Sequence, residues 1–521
     1  MFARRLASFF DLEYDDHHMM DSRTRVLLDV PSPWSAAFSV FLLSVSVLAG
    51  CAVGPEYQSP DISVTSRFLG QDGIARREIQ SKAELQTWWA AFDDPMLTRF
   101  VALALDQNLD MALAAARVAQ ARASLRLADA ALLPSANVGA QAAKTYQSLE
   151  TPLGRVLNST PGFDRSGSYY EANLGASWEI DVFGGLRREQ EAARAEYGAS
   201  EAGAVATRLA VAAQTADVYV TVRGWQARIA IAKQQAETRR QLLSTVTLQY
   251  EKGIAAELQV RQAEGSLAQV EAQVPVLEAA LDAAMNALDV LLGAQPGTYR
   301  GELSSAAPVP VAPDLADTGT PAEMIRHRPD LIVAERRLAA ANARIGVAIS
   351  EYYPKFSLGA LLGSATSISS GNLFTSGANQ AQGVLGLRWR LFDFGRVDAQ
   401  IAAARGREAE ALAAYRLAVL RATEEVENSF SALVKRETQV GILTRGESAR
   451  ARARDNSLAA YKGGVVSLIE VLNADGSLLQ VRDEKAQAQT EVARAAISSF
   501  RALGGGWDAR NAGSKTYSAL Q

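Results

Sequence analysis

After Pro134 the apolar residues fall on every second position. Ala136, Val138, Ala140 and Ala142 take one side, and Ser135, Asn137 and Gln141 take the other. The alternation resumes at Tyr170 and runs unbroken through Ala172, Leu174, Ala176, Trp178 and Ile180, opposed by Glu171, Asn173, Ser177, Glu179 and Asp181. A period of two is that of an extended strand with one apolar and one polar face. It predicts strands over 135–147 and 169–182. The pattern recurs with Phe356, Leu358, Ala360 and Leu362, then with Leu385, Leu387, Trp389 and Leu391 opposite Arg388 and Arg390. These predict strands over 355–363 and 381–393. Turn-rich loops, 148–168 and 363–380, join each pair into a hairpin.

Between the hairpins the period changes. No proline interrupts 186–252 or 397–462. Val205, Leu209, Ala212, Ala216 and Tyr219 step by four and three, the seam of a coiled coil with small residues in it. Each run predicts one helix of roughly 100 Å at 1.5 Å per residue. A shorter helix returns over 257–292, with Pro275 expected to bend it, and another runs from about Asp110 to Leu132 into the first strand. Asp94 as N-cap and Pro95 as first helical residue start a further helix.

The chain writes this grammar twice. YEKGIAAELQVRQAEGSL from Tyr250 and YKGGVVSLIEVLNADGSL from Tyr461 share seven of eighteen residues at an offset of 211. WEIDVFGG from Trp178 and WRLFDFGR from Trp389 lie at the same offset. Upstream, Leu133-Pro134 matches Tyr353-Pro354 at an offset of 220. The repeats span 95–293 and 321–504, joined by a proline-rich linker over 294–320, with an N-terminal segment over 51–94 and a flexible tail over 505–521. In both copies Gly253 and Gly464 supply the break between the long helix and the returning one.

Composition removes several classes. The net charge of −4 gives no bulk attraction to nucleic acid. Three histidines and one cysteine leave no histidine-rich metal site and no disulfide within the chain. No Ser-His-Asp arrangement, His-Glu-x-x-His, phosphate-binding loop or Gly-x-Gly-x-x-Gly before a helix is present, so no catalytic residue, cofactor or metal is expected. The single cysteine has a place of its own. Ala36 to Ala49 is an apolar run of fourteen residues, too short to span a bilayer and the right size for a signal-peptide core. It ends in Leu48-Ala49-Gly50-Cys51, a bacterial lipobox in which the Cys51 sulfur accepts a diacylglycerol. Residues 1–50 therefore read as a signal peptide, although Asp15, Asp16 and Asp21 are unusual there, and a start at Met19 or Met20 gives a more ordinary leader. Ala52 follows the cysteine, so an inner-membrane retention aspartate is absent.

Four strands cannot close a barrel, and an open edge cannot lie in lipid. An apolar strand face beside a lipid anchor points to a barrel shared between subunits. A soluble four-stranded sheet over a helical core is the alternative, and spacing does not choose between eight strands from two subunits and twelve from three. On the polar face Glu179, Asp181, Arg388 and Arg390 are the candidates to line a lumen.

The residues Cys51-Ala-Val-Gly-Pro-Glu-Tyr57, Trp88-Trp-Ala-Ala-Phe-Asp-Asp-Pro95 and Arg328-Pro-Asp-Leu331, with the repeated Trp and Tyr-x-x-Gly pieces, resemble the TolC-type outer-membrane efflux channels. The similarity is to their NodT-like lipoprotein branch, and it covers 51–506. The resemblance implies a mainly α chain with a transmembrane β part. It implies a homotrimer whose twelve-stranded barrel sits in the outer membrane above an α-helical periplasmic tunnel. It also implies a periplasmic adaptor and an inner-membrane pump as partners. In that family a tyrosine and an arginine on the second-copy tip tether it to a first-copy aspartate and a polar neighbour, and two acidic rings line the closed end. Here Tyr461 and Glu470 keep two of these positions. Val466 stands at the arginine, Gln259 at its aspartate partner and Asn473 at the second ring. A non-channel outer-membrane lipoprotein with a coiled-coil scaffold role is the alternative reading.

Overall fold

The computed structural model describes residues 52–62, 64–77, 84–315 and 320–507. The expected signal peptide over 1–50 and Cys51 lie outside the described residues. Helix α1 spans Pro95–Gln107 and α2 Leu109–Ala131; strands β1 (Ser135–Tyr146) and β2 (Ser166–Ile180) follow. The chain then enters α3, Gly185–Glu251, and returns through α4 (Glu257–Glu271) and α5 (Gln273–Leu291). The second repeat restates the series as α6 (Pro329–Ser350), β3 (Lys355–Thr366), β4 (Asn379–Arg388), α7 (Arg396–Lys462) and α8 (Leu468–Ala502). The two long helices, α3 and α7, have 67 residues each.

Local chemistry explains the boundaries. Asp94 accepts from the backbone N–H of Met96 at 2.9 Å and Leu97 at 3.0 Å, and Pro95 opens α1. The return of the first repeat breaks at Ala272 because Pro275 has no N–H to offer the carbonyl of Glu271. Its counterpart α8 carries no proline and runs 35 residues without a break. The duplicated tryptophans make the same bond in each copy: Trp178 Nε1 donates to the Leu132 carbonyl at 2.9 Å, and Trp389 Nε1 to that of Tyr352 at 3.0 Å.

The main core lies at mid-length, where both repeats meet the N-terminal segment. Trp88 is fully buried and stacks on Phe500 with ring centroids 5.4 Å apart. Leu209, Ala212, Ala216 and Tyr219 of the expected seam are buried there. The expected tail begins too early, since Gly505 and Gly506 pack beneath Trp88 and Gly506 N–H donates to the Leu85 carbonyl. No described helix is long and apolar enough to cross a membrane.

The strands form one antiparallel sheet in the order β1-β2-β3-β4, so the two hairpins are joined through β2 and β3. Strand limits depart from expectation at β4, which stops at Arg388 instead of 393. Its partner β3 begins at Lys355, and Pro354 before it cannot extend the ladder.

Candidate functional site

Register decides what each sheet face presents. Val138, Leu174, Leu362 and Ala381 are paired in one row, and Trp178, Leu358 and Leu385 in another. Directly opposed residues in an antiparallel sheet share a face. The apolar sides of all four strands therefore coincide, and Val138, Leu174, Leu362, Leu385 and Leu387 are all exposed. The opposite face is mostly polar or small, with Asn137, Gly175, Leu361 and Gln382 in one row and Glu179, Ser357 and Gly386 in another; Leu361 and Val384 are its large apolar residues on β3 and β4. Among the described residues the outer edges of β1 and β4 have no strand partner.

Of the four charges expected on the polar face, two are on strands. Glu179 is opposite Ser357, and Arg388 is opposite Lys355. Asp181 lies beyond β2 and acts as a helix cap. Its carboxylate accepts from the backbone N–H of Leu186 at 3.0 Å and Arg187 at 2.9 Å, opening α3. Arg390 lies beyond β4 and pairs with Glu351 at 3.4 Å. Glu351 also binds Lys355 at 2.5 Å, and these cations hold its carboxyl below the ordinary range, the Lys355 hydrogen bond most of all. The base of the sheet is thus a compensated cluster.

At the other end of the long helices the two tips share one build. Gly253 N–H donates to the Tyr250 carbonyl at 2.8 Å and Gly464 N–H to that of Tyr461 at 2.9 Å. Their φ angles are +73° and +75°, in the left-handed region where a side chain costs about 1 kcal/mol. Val246, Val260, Ala263 and Leu468 form a small buried core with Tyr461 and Leu472 against it. Burial pushes the Tyr461 phenol up, and its hydroxyl donates to Gln249 Oε1 at 2.9 Å. Gln249 is on α3, so this bond ties the second-copy tip to the first. Val466 is half-buried, while Glu470 and Asn473, one helical turn apart on α8, are exposed. Ile254, Leu258, Val465 and Ile469 stand exposed around the turns.

The structure adds a residue that pattern reading missed. Asp475 is buried on α8, with Oδ2 at 2.9 Å from Arg239 Nε of α3; Gln235 of α3 donates to the same oxygen. Arg239 Nε–H is not aligned on that oxygen, so the pairing is chiefly ionic. Burial pushes the Asp475 carboxyl up, while Arg239 and Arg454 of α7 pull it down. The signal was in the sequence: Leu468, Val471, Asp475 and Leu478 step by three and four, which puts an acid in an apolar seam. The pair ends a ladder between repeats. Asp217 binds Arg494 at 2.8 Å, Arg228 binds Asp483 at 2.6 Å, and Arg239 Nη2 reaches the Leu472 carbonyl at 3.3 Å. Each rung falls eleven residues after the last on α3 and eleven before it on α8, three turns in each direction. Among the described residues no cluster fit for a metal ion is found.

A sheet with one continuous lipid-compatible face, above helices long enough to cross a periplasm, defines an outer-membrane channel subunit. The chain matches the outer membrane efflux protein family over residues 100–294 and 320–505, and it belongs to that family. It is 31% identical to the pyoverdine export outer membrane protein OpmQ of Pseudomonas putida, over 81% of this chain and 89% of the relative. It is 30% identical to the probable outer membrane lipoprotein SilC of Salmonella typhimurium, over 90% and 99%. Among solved structures, the outer-membrane channel OprN superposes with a TM-score of 0.79 at 32% identity, covering 88% of this chain and all of that one. The open state of the Neisseria gonorrhoeae MtrE outer-membrane channel gives 0.76 at 25%, covering 88% and 98%. The protein is an outer-membrane channel of an efflux system. Family and fold are those of such channels, which are not enzymes.

Proposed function

We propose that three copies join edge to edge, β4 of one to β1 of the next, into a twelve-stranded barrel. The barrel opens into a tunnel made by the long helices, a passive exit duct for substrates delivered by an inner-membrane pump through a periplasmic adaptor. One observation carries this reading: four strands whose apolar faces coincide end on two unpaired edges, and lipid tolerates no unpaired edge. The family's channel relatives support it. Purified protein should run as a heat-labile trimer in detergent and give steady unitary conductance in planar bilayers. A monomer without conductance would favour the scaffold reading.

Cys51 is proposed as the lipid attachment site of the mature chain. Cys51→Ala should abolish incorporation of radioactive palmitate while the apolar belt still lets the barrel insert. Palmitate persisting in the variant would show that the lipid is elsewhere.

The tips are proposed to close the periplasmic end. Tyr461 bonded to Gln249 ties the second tip to the first, and exposed Glu470 on each copy faces the axis. Asn473 leaves the second ring uncharged, and Val466 with Gln259 leaves out a charged tether. Glu470→Gln should reduce cation preference and weaken block by multivalent cations added from the periplasmic side. Tyr461→Phe removes one hydrogen bond, about 1 kcal/mol, and should raise the open-to-closed ratio about fivefold. Single-channel records unchanged by Glu470→Gln would remove that residue from the gate.

A further inference from the structure

Glu171 sits on the polar face of β2, opposite Gln141 of β1 and Ala365 of β3. Its neighbours hold it without neutralising it. Asn173 Nδ2 donates to Glu171 Oε1, and Gln380 Nε2 of β4 donates to the same oxygen at 3.2 Å and to Asn173 Oδ1 at 2.8 Å. Gln380 reaches it across the whole width of β3, since strands two apart are separated by about 10 Å. Gly363 leaves the gap, because a Cβ there would collide with Asn173 and the Ala172 carbonyl. The three residues come from both repeats and meet over a strand whose side chain is missing.

Every partner of Glu171 is neutral: the Asn173 and Gln380 amides and the Tyr169 phenol, which also hydrogen-bonds the carboxylate. No cation within ion-pair distance of Glu171 occurs among the described residues, in contrast to the base of the sheet, where Glu351 answers Lys355 and Arg390. Glu171 lies eight residues along β2 from Glu179, about 26 Å toward the loop end of the sheet. The arrangement fixes a full negative charge on a rigid strand, near the mouth opposite the tips.

Resting on the trimeric channel reading, we infer that the Glu171 carboxylates form a cation-attracting ring at the extracellular mouth of the barrel, separate from the periplasmic tips. The ring takes hydrated inorganic cations and cationic solutes by charge, and the amide array sets its position. Three fixed charges converging on one aqueous bore raise the local cation concentration, an effect that salt screens within about 10 Å at 0.1 M.

The test uses full-length mature protein in planar bilayers under a KCl gradient. Glu171→Gln keeps the size of the side chain and an oxygen for Asn173 and Gln380. It should lower the K⁺-over-Cl⁻ permeability ratio by about twofold at 0.1 M salt. Block by hexaamminecobalt(III) added from the extracellular side should weaken, with periplasmic-side block unchanged. Glu171→Cys offers a second route, since Cys51 is the sole native cysteine. A sulfonate-bearing methanethiosulfonate should restore the lost cation preference, and an ammonium-bearing one should invert it. Wild-type selectivity and block in trimeric Glu171→Gln, or charge-independent effects of the two reagents, would overturn the ring alone. Absence of any conductance from the wild-type trimer would overturn the channel reading with it.

Discussion

Arg239→Met is expected to loosen the tip. The substitution leaves Asp475 buried on α8 without its cation, and removing one partner of a buried pair costs about 3–5 kcal/mol. Gln235 and Arg454 remain near the carboxyl, and burial favours its protonated form, so the loss should sit at the lower end of that range. Hydrogen exchange over 468–480 should accelerate at least about a hundredfold. The apolar double variant Arg239→Met/Asp475→Leu should recover most of the protection, because two matched apolar groups leave no charge to desolvate. A double variant as loose as the single one would show that packing, not the ion pair, holds the tip. The lower rungs, Arg228 with Asp483 and Asp217 with Arg494, are more exposed and should each contribute far less.

The second large effect belongs to the sheet. Leu174 is 49% exposed on the apolar face, flanked by Val138 and Leu362. Leu174→Arg places a cation in the lipid-facing belt of every copy and should cost on the order of 2–4 kcal/mol per copy near the midplane. Yield of heat-labile trimer in the outer membrane should collapse. Asn173→Arg, one residue away on the polar face beside Glu171, should assemble close to normally. The pair is a direct assay of facing, because a one-residue step along a strand turns the side chain over. Equal losses from the two variants would place lipid on the wrong face.

Much of this molecule is legible in one dimension. The period-two runs located all four strands, the proline-free runs located α3 and α7, and the internal repeat predicted two tips with Gly253 and Gly464 at equivalent turns. Asp94 before Pro95 marked the start of α1. These features depend on a residue and its near neighbours, so sequence carries them. Glu470 and Asn473, by contrast, were singled out only by the family resemblance, as ring positions.

Other features depend on what comes beside a residue from far along the chain. Asp181 follows the strand period, yet two backbone N–H groups of α3 make it a cap. Arg390 continues the β4 alternation, yet Pro354 ends its partner strand and Glu351 takes its charge. Tyr461 bonds Gln249 across 212 positions of sequence, and Asp475 meets Arg239 across 236. Glu171 and Gln380 meet only because Gly363 leaves room between them. The sequence by itself determined the elements, their duplication and the two-faced character of each strand, because backbone periodicity and turn sterics are local. Tertiary structure alone decided how the hairpins join, which faces coincide and which charges find partners, because register and helix contact are set by packing between segments that share no neighbourhood in the chain.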